Sequence, residues 1–193
     1  MLKILASSAA IRRLAELARD QRGVSAVEFA MLLPLMLTLY LGGVEVSQGV
    51  AADRKVTLTA RAVADLVAQS TSITDTQMTD IKSAATAVSA PFSSANLKLT
   101  VSQVKITDTQ GDAVIDWSDA SANNTARAVG APVTLPTALK TCSGPPCYLI
   151  WGEVQYSYRP VIGYVVTGTL TLKDQIYMRP RQGNSVCRGN ACS

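Results

Sequence analysis

Few side chains in this sequence are placed to do chemistry, and they fall into three groups. Glu28 borders the longest uncharged apolar run, Phe29 to Val44. Four cysteines form two C-x4-C pairs, Cys142/Cys147 and Cys187/Cys192, and Asp108, Asp112, Asp116 and Asp119 are scattered through a turn-rich stretch. The chain has no histidine, which removes Ser-His-Asp and Cys-His catalysis and every His-containing metal site. It also lacks a GxSxG elbow, a P-loop and a dinucleotide fingerprint. The aspartates resemble a calcium loop only loosely, without the required glycine position or terminal glutamate. Four thiolates could bind zinc, with ligand spacing at the edge of the usual range, but the outward location argued below favours disulfides. An enzyme would have to work from carboxylates or tyrosines alone, so none is expected, nor is a cofactor or metal.

The elements that must position Glu28 and the cysteines begin with a membrane segment. Of 193 residues, 48% are hydrophobic and 17% charged, and the mean hydropathy is +0.19, which leans toward membrane association. Phe29 to Val44 covers about 24 Å as a helix, short of a bilayer core of about 30 Å. Including Val24–Val27 supplies the length but places Glu28 inside the segment, at a cost of up to about 3 kcal/mol at mid-bilayer and less near an interface. Five of the 18 basic residues (Lys3, Arg12, Arg13, Arg19 and Arg22) precede Gly23. They predict a cytoplasmic N-terminus and an outward C-terminal part. They also hold most of the net charge of +4, and no basic stripe remains for nucleic acid. Pro34 and Gly42–Gly43 predict a kinked or loosened helix. Two other readings compete: a secretory signal peptide cut after Ala52, and an uncleaved single-pass anchor.

The stretch Arg22–Ala30, Arg-Gly-Val-Ser-Ala-Val-Glu-Phe-Ala, sets a glycine after a basic leader and a glutamate five residues beyond it. It resembles the processing site of type IV pilin-like precursors. With the following Leu-Leu-Pro-Leu-Met-Leu-Thr-Leu it is most similar to the TadE-like pseudopilins of the tight-adherence (Tad/Flp) pilus. The resemblance implies cleavage between Gly23 and Val24 by a prepilin peptidase. It further implies assembly with the major pilin, other minor pseudopilins and an inner-membrane platform, in contact with membrane lipid. Physical chemistry suits this arrangement. Cleavage would give Val24 an α-amine, largely protonated at neutral pH, and a hydrogen-bonded ammonium–carboxylate pair recovers much of the cost of burying either charge alone. Glu28 could meet the amine of a neighbouring subunit and fix axial register, or that of its own chain, one helical turn away. Gly23 lets an extended backbone approach a peptidase closely.

Beyond Ala51 an apolar stripe of Val56, Ala60, Val63 and Val67, with Leu66 alongside, predicts that the helix continues to about Ser70. That amphipathic half would pack on copies of the chain, on a partner, or on its own domain. Thr74 and Gln77 form a capping box opening a second helix with Met78, Ile81, Ala85 and Val88 on one face, ended by Pro91. Strands are then predicted: Leu97–Ile106 with a bulge where the alternation slips at Ser102–Gln103, Ala113–Trp117, Tyr148–Arg159 and Tyr164–Ile176, with 118–141 as an excursion. The expectation is an α+β protein, a long N-terminal helix followed by a domain with a helix packed on an antiparallel sheet of about four strands. Its segments are a cleaved leader (1–23), a transmembrane helix (24–50), an amphipathic stalk (51–70) and an extracytoplasmic domain (71–193). Adjacent pairing of the cysteines is favoured because Ser143-Gly-Pro-Pro146 makes a tight turn. The Val154–Pro160 run and the closing Tyr177–Arg181 loosely resemble the C-terminal half of the TadE-like family. Trp151, Tyr156, Tyr158 and Tyr164 read either as core or as an aromatic binding surface, the latter fitting an anchored binding domain.

Overall fold

A computed structural model describes residues 23–108, 110–142, 144–160, 163 and 167–189; the leader, Tyr164 and Cys192 lie outside them. The chain divides into two units, 1–44 and 45–193. One helix, α1 (Val24–Ala68), runs through both and contains Pro34. In the first unit the large side chains from Val24 to Tyr40 are exposed, and the most apolar 18-residue window of this helix is not buried at all. A helix surface so apolar is compatible with a membrane span. Pro34 cannot donate to the carbonyl one turn back, while the Thr38 hydroxyl donates to the Pro34 carbonyl at 2.8 Å.

The second unit begins at Glu45, within the helix. Its elements are β1 (Ser72–Ile73), α2 (Asp75–Ser89), β2 (Leu97–Ile106), β3 (Ala113–Ala120), β4 (Pro132–Val133), β5 (Cys147–Tyr158), β6 (Leu170–Met178) and β7 (Cys187–Arg188). The main sheet has the order β4-β3-β2-β5-β6 and is antiparallel throughout. The expected α+β arrangement is present, with a fifth strand supplied by β4 from the excursion. α2 opens with the capping box: the Thr74 N–H donates to Gln77 Oε1 at 2.9 Å, and the Gln77 N–H donates to Thr74 Oγ1 at 3.3 Å. Val56, Ala60, Val63 and Val67 are buried against the unit's own sheet and α2, whereas Leu66 faces out. The stripe is therefore the domain's own core surface. Gly152 of β5 makes the approach possible: a β-carbon there would lie 3.0 Å from Ala64 Cβ and 3.1 Å from the Ala60 carbonyl oxygen.

The sheet is buried on different faces at its two ends, which explains the slip in alternation. Leu97, Leu99 and Val101 pack with the helices, while Val104 and Ile106 belong to a second cluster with Ile115, Leu135, Cys142, Leu149 and Trp151. β2 itself pairs with β5 without interruption from Leu97↔Tyr156 to Ile106↔Cys147. The irregularity lies in the β2–β3 pairing, where Gln103 faces Trp117 and Val104 faces Ile115. The extra residue is thus Asp116 of β3, and it turns Trp117 and Ile115 to opposite faces. The excursion 118–141 is more than a loop, because Leu135 and the partly buried Val133 and Leu139 cover the second cluster.

The C-terminal segment returns and closes the unit. Val186 is fully buried; its N–H donates to Gln103 Oε1 at 2.7 Å, and its carbonyl accepts from Trp117 Nε1 at 2.8 Å. β7 pairs in parallel with β1, and the Arg181 N–H donates to the carbonyl of Ala68 at the end of α1. Asp119 binds Lys82 of α2 and, at 2.7 Å, Arg188 of β7, which also reaches Asp75. Burial pushes the Asp119 carboxyl up, but Lys82 and Arg188 together outweigh it and hold the group below its ordinary value.

Two outcomes follow for the purified chain in detergent. Gly152→Ala should lose about 1–3 kcal/mol, the usual cost of overpacking, read as a lower urea midpoint. Asp119→Asn should lose about 2 kcal/mol at neutral pH, as charge-assisted hydrogen bonds are removed. Because the folded pKa of Asp119 is lowered, its contribution is complete above the unfolded value of about 3.9 and is lost as pH falls through the folded one. The gap between wild type and Asp119→Asn should therefore close on acidification below about pH 4; a gap that stays constant would contradict this assignment.

Candidate processing and assembly site

Gly23 is exposed and immediately precedes α1, so the peptide bond to Val24 lies at the helix's first residue. A β-carbon built at Gly23 meets nothing within 4 Å among the described residues, so none of them demands glycine at this position. Val24 and Glu28 are both exposed on the helix, one turn apart. No acidic residue lies in the first turn of α1, which leaves Glu28 as the nearest carboxylate following Val24 in the sequence.

The other candidate groups separate into structural roles. Cys142 and Cys147 are joined by a disulfide, the adjacent pairing, and Cys187 is also disulfide-bonded. The four aspartates do not converge. Asp108 Oδ1 accepts from the N–H groups of Gln110, Gly111 and Asp112 at 2.8–3.1 Å, Asp116 accepts from Gln103 Nε2 at 2.6 Å, and Asp119 holds Lys82 and Arg188. Among the described residues no cluster of three His, Cys, Asp or Glu could hold a metal ion.

Trp151, Tyr156 and Tyr158 are buried, so these aromatics are core and present no open binding surface. Phe92 packs edge-on against Tyr156 and Tyr158 at 5.9 and 6.4 Å. Trp151 stacks on Tyr177 at 5.3 Å and lies under Arg127 at 4.0 Å. Burial, and secondly Glu153, push the Tyr177 phenol up to about 12 against the opposing pull of Arg127. The Tyr158 phenol is pushed up by burial first and by the Glu45 carboxylate second, and its oxygen is buried with no hydrogen-bond partner among the described residues. Glu45, Gly152 and the Arg127 stack were not legible as special positions, because each depends on a pairing register or helix rotation that only the fold defines.

Residues 23–65 match the family model described as TadE-like protein. The matched segment begins at Gly23 and ends within α1, so this part of the chain is similar to TadE-like proteins, in agreement with the resemblance of the Arg22–Ala30 stretch. The Val154–Pro160 and Tyr177–Arg181 runs lie beyond the match. No curated protein and no solved structure matches the chain.

Proposed function

We propose that this protein is a minor pseudopilin of the TadE-like kind, a structural and assembly component of tight-adherence pili. The observation that carries the reading is the coincidence of three boundaries: the TadE-like match starts at Gly23, the uninterrupted helix starts at Val24, and the exposed apolar surface follows directly. The helix is compatible with a single-pass anchor. In this reading the chain enters the inner membrane with its leader in the cytoplasm and its second unit outside. A prepilin peptidase then cuts after Gly23. The new Val24 ammonium and Glu28 supply a charge pair inside an apolar bundle, where an unpaired carboxylate would cost a few kcal/mol. That penalty makes the pair a register device: helices whose charges do not meet are disfavoured relative to those whose charges do. Partners are the peptidase, the major pilin, other minor pseudopilins and the inner-membrane assembly platform. The second unit, closed on its own core, would cap or decorate the assembly.

Glu28→Ala tests the assembly step in cells carrying the rest of the system. A lost pairing of about 1.4 kcal/mol or more corresponds to about a tenfold drop in the amount recovered with sheared pili, while the leader is still removed. Incorporation equal to wild type would rule out the register role. Gly23→Ile tests the cleavage step separately. The side chain fits the fold, since nothing lies within 4 Å of the β-carbon, so the expected result is a stable chain that keeps its leader on a gel. Normal processing of that variant would place the cleavage elsewhere.

A further inference from the structure

The sheet face turned away from α1 and α2 carries the second apolar cluster at one end. At the other end it forms an open groove of about 590 Å³, walled by the loop that bears Asn124 and Arg127. Strand register builds its floor. Lys98 lies opposite Gln155, and Gln155 opposite Lys173, so the three side chains stand in a row on one face across three strands. The lysines are about 9.5 Å apart at Cα, two strand spacings. The next row is Thr100, Glu153 and Gln175. Glu153 is occupied: Arg127 grips it through two nitrogens at 2.7–3.0 Å while stacking on Trp151. The loop is further tied down by Asn124 Nδ2, which donates to Thr100 Oγ1 at 2.8 Å, and by the Arg127 N–H, which donates to Ser118 Oγ at 3.0 Å. Asp174 at the rim accepts from the Gln175 N–H. Among the described residues neither Lys98 nor Lys173 has an ion-pair or hydrogen-bond partner.

We infer that this groove binds an acidic saccharide, a chain of hydroxyl-bearing rings that carry carboxylates. Two unpaired ammonium groups in one row select negative charge. The amide and hydroxyl side chains between and beside them offer both donors and acceptors, which is what sugar hydroxyls require. The volume falls in the range of small-molecule sites, but the lining is polar where such sites are usually apolar, so the ligand must be polar too. A protein partner would need apolar anchors, and a peptide added as a strand would need a sheet edge and not a face. Arg127 serves as a positioning residue, since it neutralises the one carboxylate in the floor that would repel the ligand. This inference stands apart from the pilus reading, because it involves only the second unit.

Equilibrium dialysis of the full-length chain in phosphatidylcholine nanodiscs tests it. The probes are a fluorescently labelled oligogalacturonate and, for comparison, an uncharged malto-oligosaccharide of equal length. The expected result is saturable binding of the uronate, weakened by salt, with no binding of the neutral chain. Affinity should fall at least tenfold, about the 1.4 kcal/mol of one decade, in the Lys98→Ala/Lys173→Ala double variant and largely persist in Lys98→Arg/Lys173→Arg. Lys98 is half-buried and Lys173 exposed, and an unchanged melting temperature in the alanine variant shows that the fold is retained. Absence of saturable binding at millimolar uronate, equal affinity in the alanine variant, or equal binding of the neutral chain would overturn the proposal. Loss of uronate binding when phosphatidylglycerol is added to the nanodisc would overturn it as well, assigning the lysines to lipid headgroups.

Discussion

Where β5 passes beneath α1, the backbone of Gly152 comes so near the helix that a β-carbon would stand 3.0 Å from Ala64 Cβ and 3.1 Å from the Ala60 carbonyl oxygen. Much of the second unit depends on this close approach. Small residues on the helix (Ala52, Ala60, Ala64 and Ala68) lie buried beside the branched side chains of Val56, Val63 and Val67. The pairing suits dense packing, since a thin seam lets the larger neighbours interdigitate without voids. The N-terminal part of the same helix, from Val24 to Tyr40, exposes its large apolar side chains. One helix thus carries two kinds of surface, and its side chains record the change, from apolar on all sides to apolar on one face.

The sheet solves a related problem by being buried on different faces at its two ends. Helices cover one face at the Leu97 end, and a Pro-containing excursion covers the other at the Ile106 end. A bulge at Asp116 in β3 and an unbroken β2 reconcile the two. The buried Gln103 sits at the crossover and is bonded at both ends: its amide donates to Asp116 and its carbonyl accepts from Val186. A buried polar side chain satisfied on both ends fixes a unique arrangement, because any shift in register would leave it unpaired. The return of the C-terminal segment through Val186 is therefore coupled to the register of the central strands.

The sequence was most readable where the signal is local and periodic. The helix from Val24, its buried stripe, the Thr74–Gln77 box and three of the long strands are set by side-chain spacing within one element, and the Cys142–Cys147 disulfide by close spacing in the sequence, whereas β6 begins at Leu170 and not at Tyr164 as expected. What could not be read depends on partners distant along the chain. The inverted alternation in Leu97–Ile106 looks the same whether a strand bulges or changes its covered face. Leu135 carries no periodicity that would mark it as core. Lys98 and Lys173 are 75 positions apart, and only the intervening Gln155 on β5 brings them into one row. The Gly23–Glu28 arrangement was legible as a resemblance, because it is a short stretch of sequence; the cleavage and assembly roles proposed for it involve other chains.

The central claim is that the chain is processed at the junction where the helix begins. Intact-mass spectrometry of the protein extracted from its native membrane tests this most directly. The account requires a mature chain that starts at Val24. A chain starting at Asp53 would mean a secreted domain without a membrane helix, and an intact leader in cells that contain an active prepilin peptidase would mean a plain anchored domain. Either result would contradict it.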